Sequence, residues 1–286
     1  MTTPVPTPAA TLVPTLATAP AAARFGDLLA AEWIKIRSLR STPWTIAVTI
    51  LFVIGSAAVS ALAYNENLAD AGPGAQGPNG FLPFDAFPPA GYTALMLVAG
   101  SIGAVAVVSE YSSGLIRATT VAVPARGSVV LAKAVVVAAL WTVVGAVISI
   151  GSFFVSQAVL DATNSGVPIG YPGVFRALVA SALLAPVCAL TGLGLGVLIR
   201  HSATSMVTSA FTLLMLPTLF SPSRRWSADL NHAMVSTAWR RLVQNWGAMP
   251  GSHTFTATVP GSWTVYVLWP LVAVALAVVV VRRRDV

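Results

Sequence analysis

Two lysines are the residues of this chain that could serve as the phosphate-binding lysine of a P-loop. They are Lys35 and Lys133, and they are followed by Ile36 and Ala134. A P-loop needs a lysine followed by serine or threonine, because the lysine reaches the phosphates and the hydroxyl binds Mg²⁺. The chain therefore has no Walker A loop, and we do not expect it to hydrolyse ATP by itself.

Histidine, cysteine and carboxylate residues are not arranged as a catalytic or metal site. His201, His232 and His253 are far apart in the sequence, and no HxxxH or CxxC spacing occurs. Cys188 lies in the apolar run SALLAPVCALTG, where we expect a small core residue. No histidine lies deep in an apolar run to act as a general base. We therefore expect no enzyme activity, no cofactor bound by this chain and no metal.

The composition indicates the environment of these residues. Of 286 residues, 56% are hydrophobic and 9% charged, and the mean hydropathy is +0.80. A soluble domain carries about 25% charged residues. The apolar surface must therefore face lipid. The net charge of +7 would suggest nucleic acid in a soluble protein, but in a membrane protein its distribution matters more, and we expect no nucleic-acid partner.

Six long stretches without charged residues predict an all-α, polytopic membrane protein with six transmembrane helices. Turn residues trim these stretches to 43–64, 90–109, 131–159, 174–199, 203–220 and 263–281. In this prediction no carboxylate lies inside a span, and Glu110 and Asp161 lie at span ends. Coupling to an ion gradient through a buried carboxylate is therefore disfavoured.

The positive-inside rule predicts the orientation. Six spans place both termini on the same side of the membrane. If that side is cytoplasmic, the inner segments carry eleven Lys and Arg residues and the outer segments carry five. We therefore expect both termini in the cytoplasm, with residues 1–23, which are rich in Thr, Pro and Ala, as a disordered tail.

The segment RFGDLLAAEWIKIRSLR, residues 24–40, predicts an amphipathic helix in the inner membrane interface. Its apolar face comprises Phe25, Leu28, Leu29, Trp33, Ile36 and Leu39. Glu32 falls within this face, where an unpaired carboxylate is costly. We expect Glu32 to contact a cation from elsewhere in the protein. The alternative is pairing within the helix, with Lys35 or Arg37.

The segment EYSSGLIRATTVAVPARGSVVLAK, residues 110–133, joins the second and third spans on the cytoplasmic side. It predicts a short helix, a turn and a return, which suits a docking element for a soluble partner. The alternative is an ordinary connecting loop.

This segment also carries a resemblance. Its order of an acidic residue, a glycine, Leu-Ile-Arg, Thr-Thr, Pro-x-Arg-Gly and a lysine resembles the cytoplasmic loop of ABC-transporter permeases of the type-2 export class, in their bacterial six-span form. The opening LLAAEWIKIRSLRSTPW is similar to the interfacial helix of that family. The resemblance covers residues 24–286, of which 41–286 would form the permease domain, and it implies a protein of the bacterial cytoplasmic membrane.

The resemblance implies two protein partners besides membrane lipids: a cytoplasmic ABC ATPase subunit that uses ATP, and a second permease in a homo- or heterodimer. It also implies a surface that couples to the ATPase, at Glu32, Glu110, Gly114, Arg117, Thr119, Pro124 and Arg126. The alternative function is a non-conducting membrane scaffold or anchoring subunit. A neighbouring open reading frame with a P-loop and no spans would favour the permease.

Residues 221–251 predict an external amphipathic helix between the last two spans. Ser227 would cap it, Gly247 would end it, and its apolar face would comprise Leu230, Met234, Ala238, Leu242 and Trp246. The helix would rest on the outer leaflet or re-enter beside the pathway. Its four arginines, Arg224, Arg225, Arg240 and Arg241, would reach outer headgroups or attract an anionic substrate.

The motif GLGLG, from Gly192 to Gly196, predicts close helix packing near the inner end of the fourth span. The spacing is compatible with packing inside one chain and with a seam between two copies. Pro186 and Pro217 are expected to kink their helices.

Overall fold

Helices form the regular structure of this protein. The computed structural model describes residues 24–38, 40–70, 86–114, 126–245 and 255–283, and this part of the chain contains no strand. The helices are α1 (Phe25–Ser38), α2 (Ser41–Asp70), α3 (Pro89–Ser112), α4 (Arg126–Asp161), α5 (Val174–Ile199), α6 (Ser202–Ala210), α7 (Arg225–His232), α8 (Val235–Val243) and α9 (Val259–Arg283).

Within the described residues, six helical segments are long and apolar enough to cross a membrane, which agrees with the predicted number of spans. The all-α class is confirmed for this part of the chain. The helix α5 has the predicted bounds, whereas α2, α3, α4 and α9 extend beyond the predicted ones. A helix does not stop where its apolar run stops, because polar residues continue it into the interface. As a result Glu66, which the prediction placed after the first span, lies inside α2, and the prediction is wrong there. Glu110 lies in the last turn of α3, at the end of its span as predicted.

The fifth span is irregular. After α6 it continues as a π-helical turn, Phe211–Met215, and a 3₁₀ turn, Leu216–Leu219. Pro217 lacks a backbone N–H, and local π and 3₁₀ geometry accommodates such a residue in a spanning helix. This span buries a narrow stripe in the protein, formed by Ser205, Ser209, Leu213 and Pro217.

The helix α5 lies at the centre of the bundle, where 67% of its span is buried, compared with 17% for α9. Glycines allow α3 to approach it closely. A Cβ atom at Gly192 would overlap the carbonyl oxygen of Gly100, and one at Gly103 would overlap that of Ala189. Gly196 faces Ala104 in the same way. The GLGLG motif therefore packs inside the chain, and Cys188 beside it is fully buried, as predicted.

The predicted continuous external helix is wrong. Two short helices, α7 and α8, replace it, with a break at Ala233 and Met234. Ser227 lies inside α7 instead of capping it, and Trp246 and Gly247 lie outside the described residues. The break has a tertiary cause. The Asn231 side chain donates to the carbonyls of Pro217 and Phe220, and Trp269 donates to that of Ala233.

The helix α8 buries its apolar face in the protein, against α5 and α9. Trp239 is fully buried, donates to Ser181 and stacks on Tyr92 with ring centroids 5.0 Å apart. Two arginines bind backbone carbonyls in this region. Arg176 donates to the carbonyls of Leu242 and Gln244 at the end of α8, and Arg241 donates to that of Ala257.

Candidate functional site

The helix α1 binds the bundle through a face centred on a charged residue. Leu28, Leu29 and Ile36 flank Glu32 on the side that packs against α4. Phe25 and Trp33 belong to the predicted apolar face but are 46% and 44% exposed. The structure confirms a helix over most of residues 24–40, and Leu39 lies outside the described residues.

Four charged side chains from three helices form a closed ring, which we call the charge ring: Glu32 and Lys35 on α1, Glu110 on α3 and Lys133 on α4. Lys35 Nζ lies 2.6 Å from Glu32 Oε1 and 2.8 Å from Glu110 Oε1. Lys133 Nζ lies 2.9 Å from Glu110 Oε1 and also donates to Glu32 Oε2. Each ammonium therefore bridges both carboxylates, and the four formal charges sum to zero.

The charge ring is largely removed from water. Glu32, Glu110 and Lys133 are at most 7% exposed, whereas the Lys35 side chain is 31% exposed. Buried charges are tolerated when each is paired and hydrogen-bonded. Burial lowers the pKa of Lys35, but its hydrogen bonds to Glu110 and Glu32 and their negative charges raise it more. The pKa of Lys35 therefore lies above its ordinary value of 10.5.

The charge ring lies at one end of the bundle, which we call the ring end. Glu110 is in the last turn of α3, and Lys133 is near the start of α4. The final helix also ends there, since the Arg282 side chain lies against Gly127 of α4. By the positive-inside prediction, the ring end faces the cytoplasm.

The structure brings together two of the seven predicted coupling residues. Glu32 and Glu110 share both lysines, so Glu32 has the expected cation from elsewhere, Lys133, and also the alternative one within its helix, Lys35. Gly114 is exposed and has a φ of +71°, which suits the residue that follows a helix end. Arg126 begins α4. Arg117, Thr119 and Pro124 lie outside the described residues.

Sequence reasoning did not bring the two lysines together in one site. Lys35 was only an alternative partner of Glu32, and Lys133 was only the last residue of the segment that carries the resemblance. Lys133 carried a usable signal. It is a single charge at the start of a long apolar run, and an isolated charge in a spanning helix needs a partner. The sequence contained no comparable indication that Lys35 would bind Glu110, because that contact joins residues 75 positions apart.

A second cationic group lies at the same end. The Arg200 guanidinium lies over the ring of Tyr111, 4.9 Å from its centroid. Arg200 follows α5 with a φ of +59°, and Tyr111 follows Glu110 in α3.

Comparisons with known proteins identify no family. No protein-family model matches the chain, and no curated protein matches it either. The functional argument therefore depends on the residues of the ring end and on the resemblance in residues 24–40 and 110–133.

Proposed function

We propose that this chain is the transmembrane permease subunit of an ATP-driven ABC exporter. In this proposal it works as a dimer, a separate cytoplasmic subunit binds and hydrolyses ATP, and the chain itself is not an enzyme. The observation that carries the proposal is the charge ring. It joins α1 to α3 and α4 beside the segment that resembles a coupling loop.

The ring provides a stiff connection between the elements that an ATPase would touch and the spans. Ionic hydrogen bonds are strong where water is excluded, so separating α1 from α3 and α4 would leave charges unpaired. A displacement of α1, or of the connection between α3 and α4, would therefore move α3 and α4 together. Because glycines bring α3 and α5 into backbone contact, α5 would follow α3.

Reconstitution tests the proposed function directly. The chain is purified with the soluble P-loop ATPase encoded beside it, and both are placed in liposomes. We expect a stable complex in which the chain changes the ATPase rate and ATP drives movement of a compound across the membrane. A complex that forms without any transport would favour the scaffold. If no complex forms, this ATPase is not the partner that powers the chain, and the proposed function is contradicted.

Charge reversal tests the coupling surface. Arg117→Glu should lower the stimulated ATPase rate by about fivefold or more, within the usual range of coupling free energies. Membrane insertion and abundance should not change. The matched control is Glu66→Arg, which reverses an exposed charge near the end of α2. Equal rates for Arg117→Glu and wild type would remove Arg117 from the coupling surface.

A further inference from the structure

An apolar groove of about 270 Å³ lies between α5 and α9. The two helices meet there at small residues, because a Cβ atom at Gly194 would lie 2.8 Å from the Ala273 Cβ. Larger apolar side chains line the rest of the groove: Leu195, Leu198, Leu268, Trp269, Val272 and Leu276. On α9, Leu268, Val272 and Leu276 are 47–56% exposed. Both helices are long and apolar enough to cross a membrane, so the groove opens toward lipid.

A molecule that fills this groove must be apolar. The side chains of Thr191 and Trp269 carry its polar atoms, and both are already hydrogen-bonded within the protein. The Thr191 hydroxyl donates to the carbonyl of Val187, and the Trp269 indole N–H donates to that of Ala233. A polar ligand would lose its hydrogen bonds to water without gaining new ones, which is costly. A hydrocarbon chain has no such cost, and the surrounding bilayer supplies it.

The groove is too narrow for a spanning helix of a second copy. Its volume extends over the roughly 12 Å of helix between Leu268 and Leu276, which gives a mean cross-section of about 20 Å². A helix with its side chains is about 10–12 Å across, which is a cross-section of about 80–110 Å². Helix pairs in membranes also depend on small residues, and Gly194 and Ala273 already contact each other. A single hydrocarbon chain is thin enough to enter.

An exposed cation continues the line of the groove toward the ring end. Arg283 follows Leu276 by seven residues, or two helical turns, so it lies on the same face of α9, about 10 Å farther along the axis. Side chains of a helix lean toward its N-terminus, which for Arg283 is the direction of the groove. On α5 the groove reaches Leu198, beside the helix end at Ile199. Exposed basic residues at the membrane surface attract anionic headgroups.

We propose that the groove between α5 and α9 binds one acyl chain of an anionic phospholipid whose phosphate binds Arg283. The lipid belongs to the leaflet at the ring end. Its chain packs between the central helix α5 and α9, which has the smallest buried fraction of the six candidate spans. The site needs no ATPase subunit, so it goes beyond the proposed function.

Native mass spectrometry of the detergent-purified full chain tests the lipid site. The chain is titrated with phosphatidylglycerol, which is anionic, or with phosphatidylcholine, which is zwitterionic. We expect one phosphatidylglycerol to be bound about fivefold more tightly than phosphatidylcholine, which one arginine at the surface can provide. Val272→Trp fills the groove and should lose the bound lipid. The matched control is Val267→Trp, which makes the same change on α9 at a side chain of similar exposure outside the groove.

The headgroup contact has its own variant. Arg283→Gln should abolish the preference for phosphatidylglycerol, whereas Arg37→Gln removes an exposed arginine of α1 at the same end and should leave both affinities within about twofold of wild type. Arg283→Gln changes an exposed side chain, so its result does not depend on whether Val272→Trp folds.

Equal lipid binding by wild type and Val272→Trp would overturn the site, and so would a preference for phosphatidylglycerol that persists in Arg283→Gln. If Val272→Trp separates a dimer of the chain and leaves lipid binding unchanged, the groove belongs to a second copy and the proposal is wrong. None of these measurements includes the ATPase, so their failure leaves the proposed function standing.

Discussion

Both lysines of the chain lie in the charge ring, although arginines outnumber them by fourteen to two. The choice has a physical basis. An ammonium group is compact and carries three donors that point in different directions, so one lysine can bridge two carboxylates. A guanidinium is planar and prefers to bind one carboxylate along an edge. We therefore infer that arginine would fit poorly at Lys133, which contacts Glu32 and Glu110 at once.

Removing one member of the ring should be far more harmful than removing a matched pair. Lys133→Met leaves Glu32 and Glu110 to share Lys35, and an uncompensated buried charge costs about 3–5 kcal/mol. The double variant Glu32→Gln with Lys133→Met should be more stable than the sum of the single losses predicts. Thermal unfolding in detergent, followed by tryptophan fluorescence, measures the coupling.

The matched control for this cycle is Arg37→Met with Asp27→Asn, which removes two exposed charges from the same helix. These changes should stay within about 0.5 kcal/mol of wild type. Strictly additive effects of the Glu32 and Lys133 variants would show that the two residues do not interact.

The raised pKa of Lys35 predicts the pH at which its contribution disappears. A group whose pKa rises on folding stabilises the protein fully below its unfolded value, here 10.5, and the contribution is lost as the pH rises through the folded value. The difference in melting temperature between wild type and Lys35→Met should therefore stay constant from about pH 6 to pH 9 and shrink above pH 10.5. A difference that vanishes below pH 9 would contradict the assignment.

At the scale of single helices, the accuracy of sequence reasoning depended on where the determinants lie. The bounds of α5 are predictable because local residues set them: Gly173 and Arg200 have positive φ and flank a continuous apolar run. The break between α7 and α8 is not predictable in this way. It depends on hydrogen bonds from Asn231 to Pro217 and Phe220, which the periodicity of leucines and alanines does not reveal.

The residues of the candidate site also fall into predictable and unpredictable ones. Glu32 was predictable as a carboxylate that needs a cation, because its helical face is apolar. Its partner Lys133 was not predictable, because 101 residues separate the two side chains and a sequence pattern does not show how α1 packs against α4. The cation–π contact between Arg200 and Tyr111 depends likewise on how α3 packs against α5.

The packing of α3 against α5 gives a prediction with a clean internal control. Gly192→Ala places a methyl group against the backbone of Gly100, so it should destabilise the protein by about 1–3 kcal/mol. Gly55→Ala is the control, because Gly55 also lies within a spanning helix and a Cβ there meets nothing within 4 Å. Thermal unfolding of both variants checks the contrast, and equal melting temperatures would contradict the close contact.

At the scale of the whole molecule, the two ends of the bundle are built differently. The ring end joins α1, α3 and α4 through paired side-chain charges. At the opposite end, Arg176 binds backbone carbonyls and the α8 residue Trp239 is stacked on Tyr92. The proposed function requires the ring end to face the cytoplasm.

Cysteine labelling tests this orientation. In a Cys188→Ser background, Ser113→Cys places a thiol at the exposed end of α3, and Ala162→Cys places one just after α4. Because α4 has 36 residues and is about 54 Å long, the two thiols lie on opposite sides of the bilayer. A membrane-impermeant maleimide should label Ala162→Cys in intact cells and Ser113→Cys only after lysis. The reverse pattern would place the charge ring outside, beyond the reach of a cytoplasmic ATPase, and would exclude the proposed function.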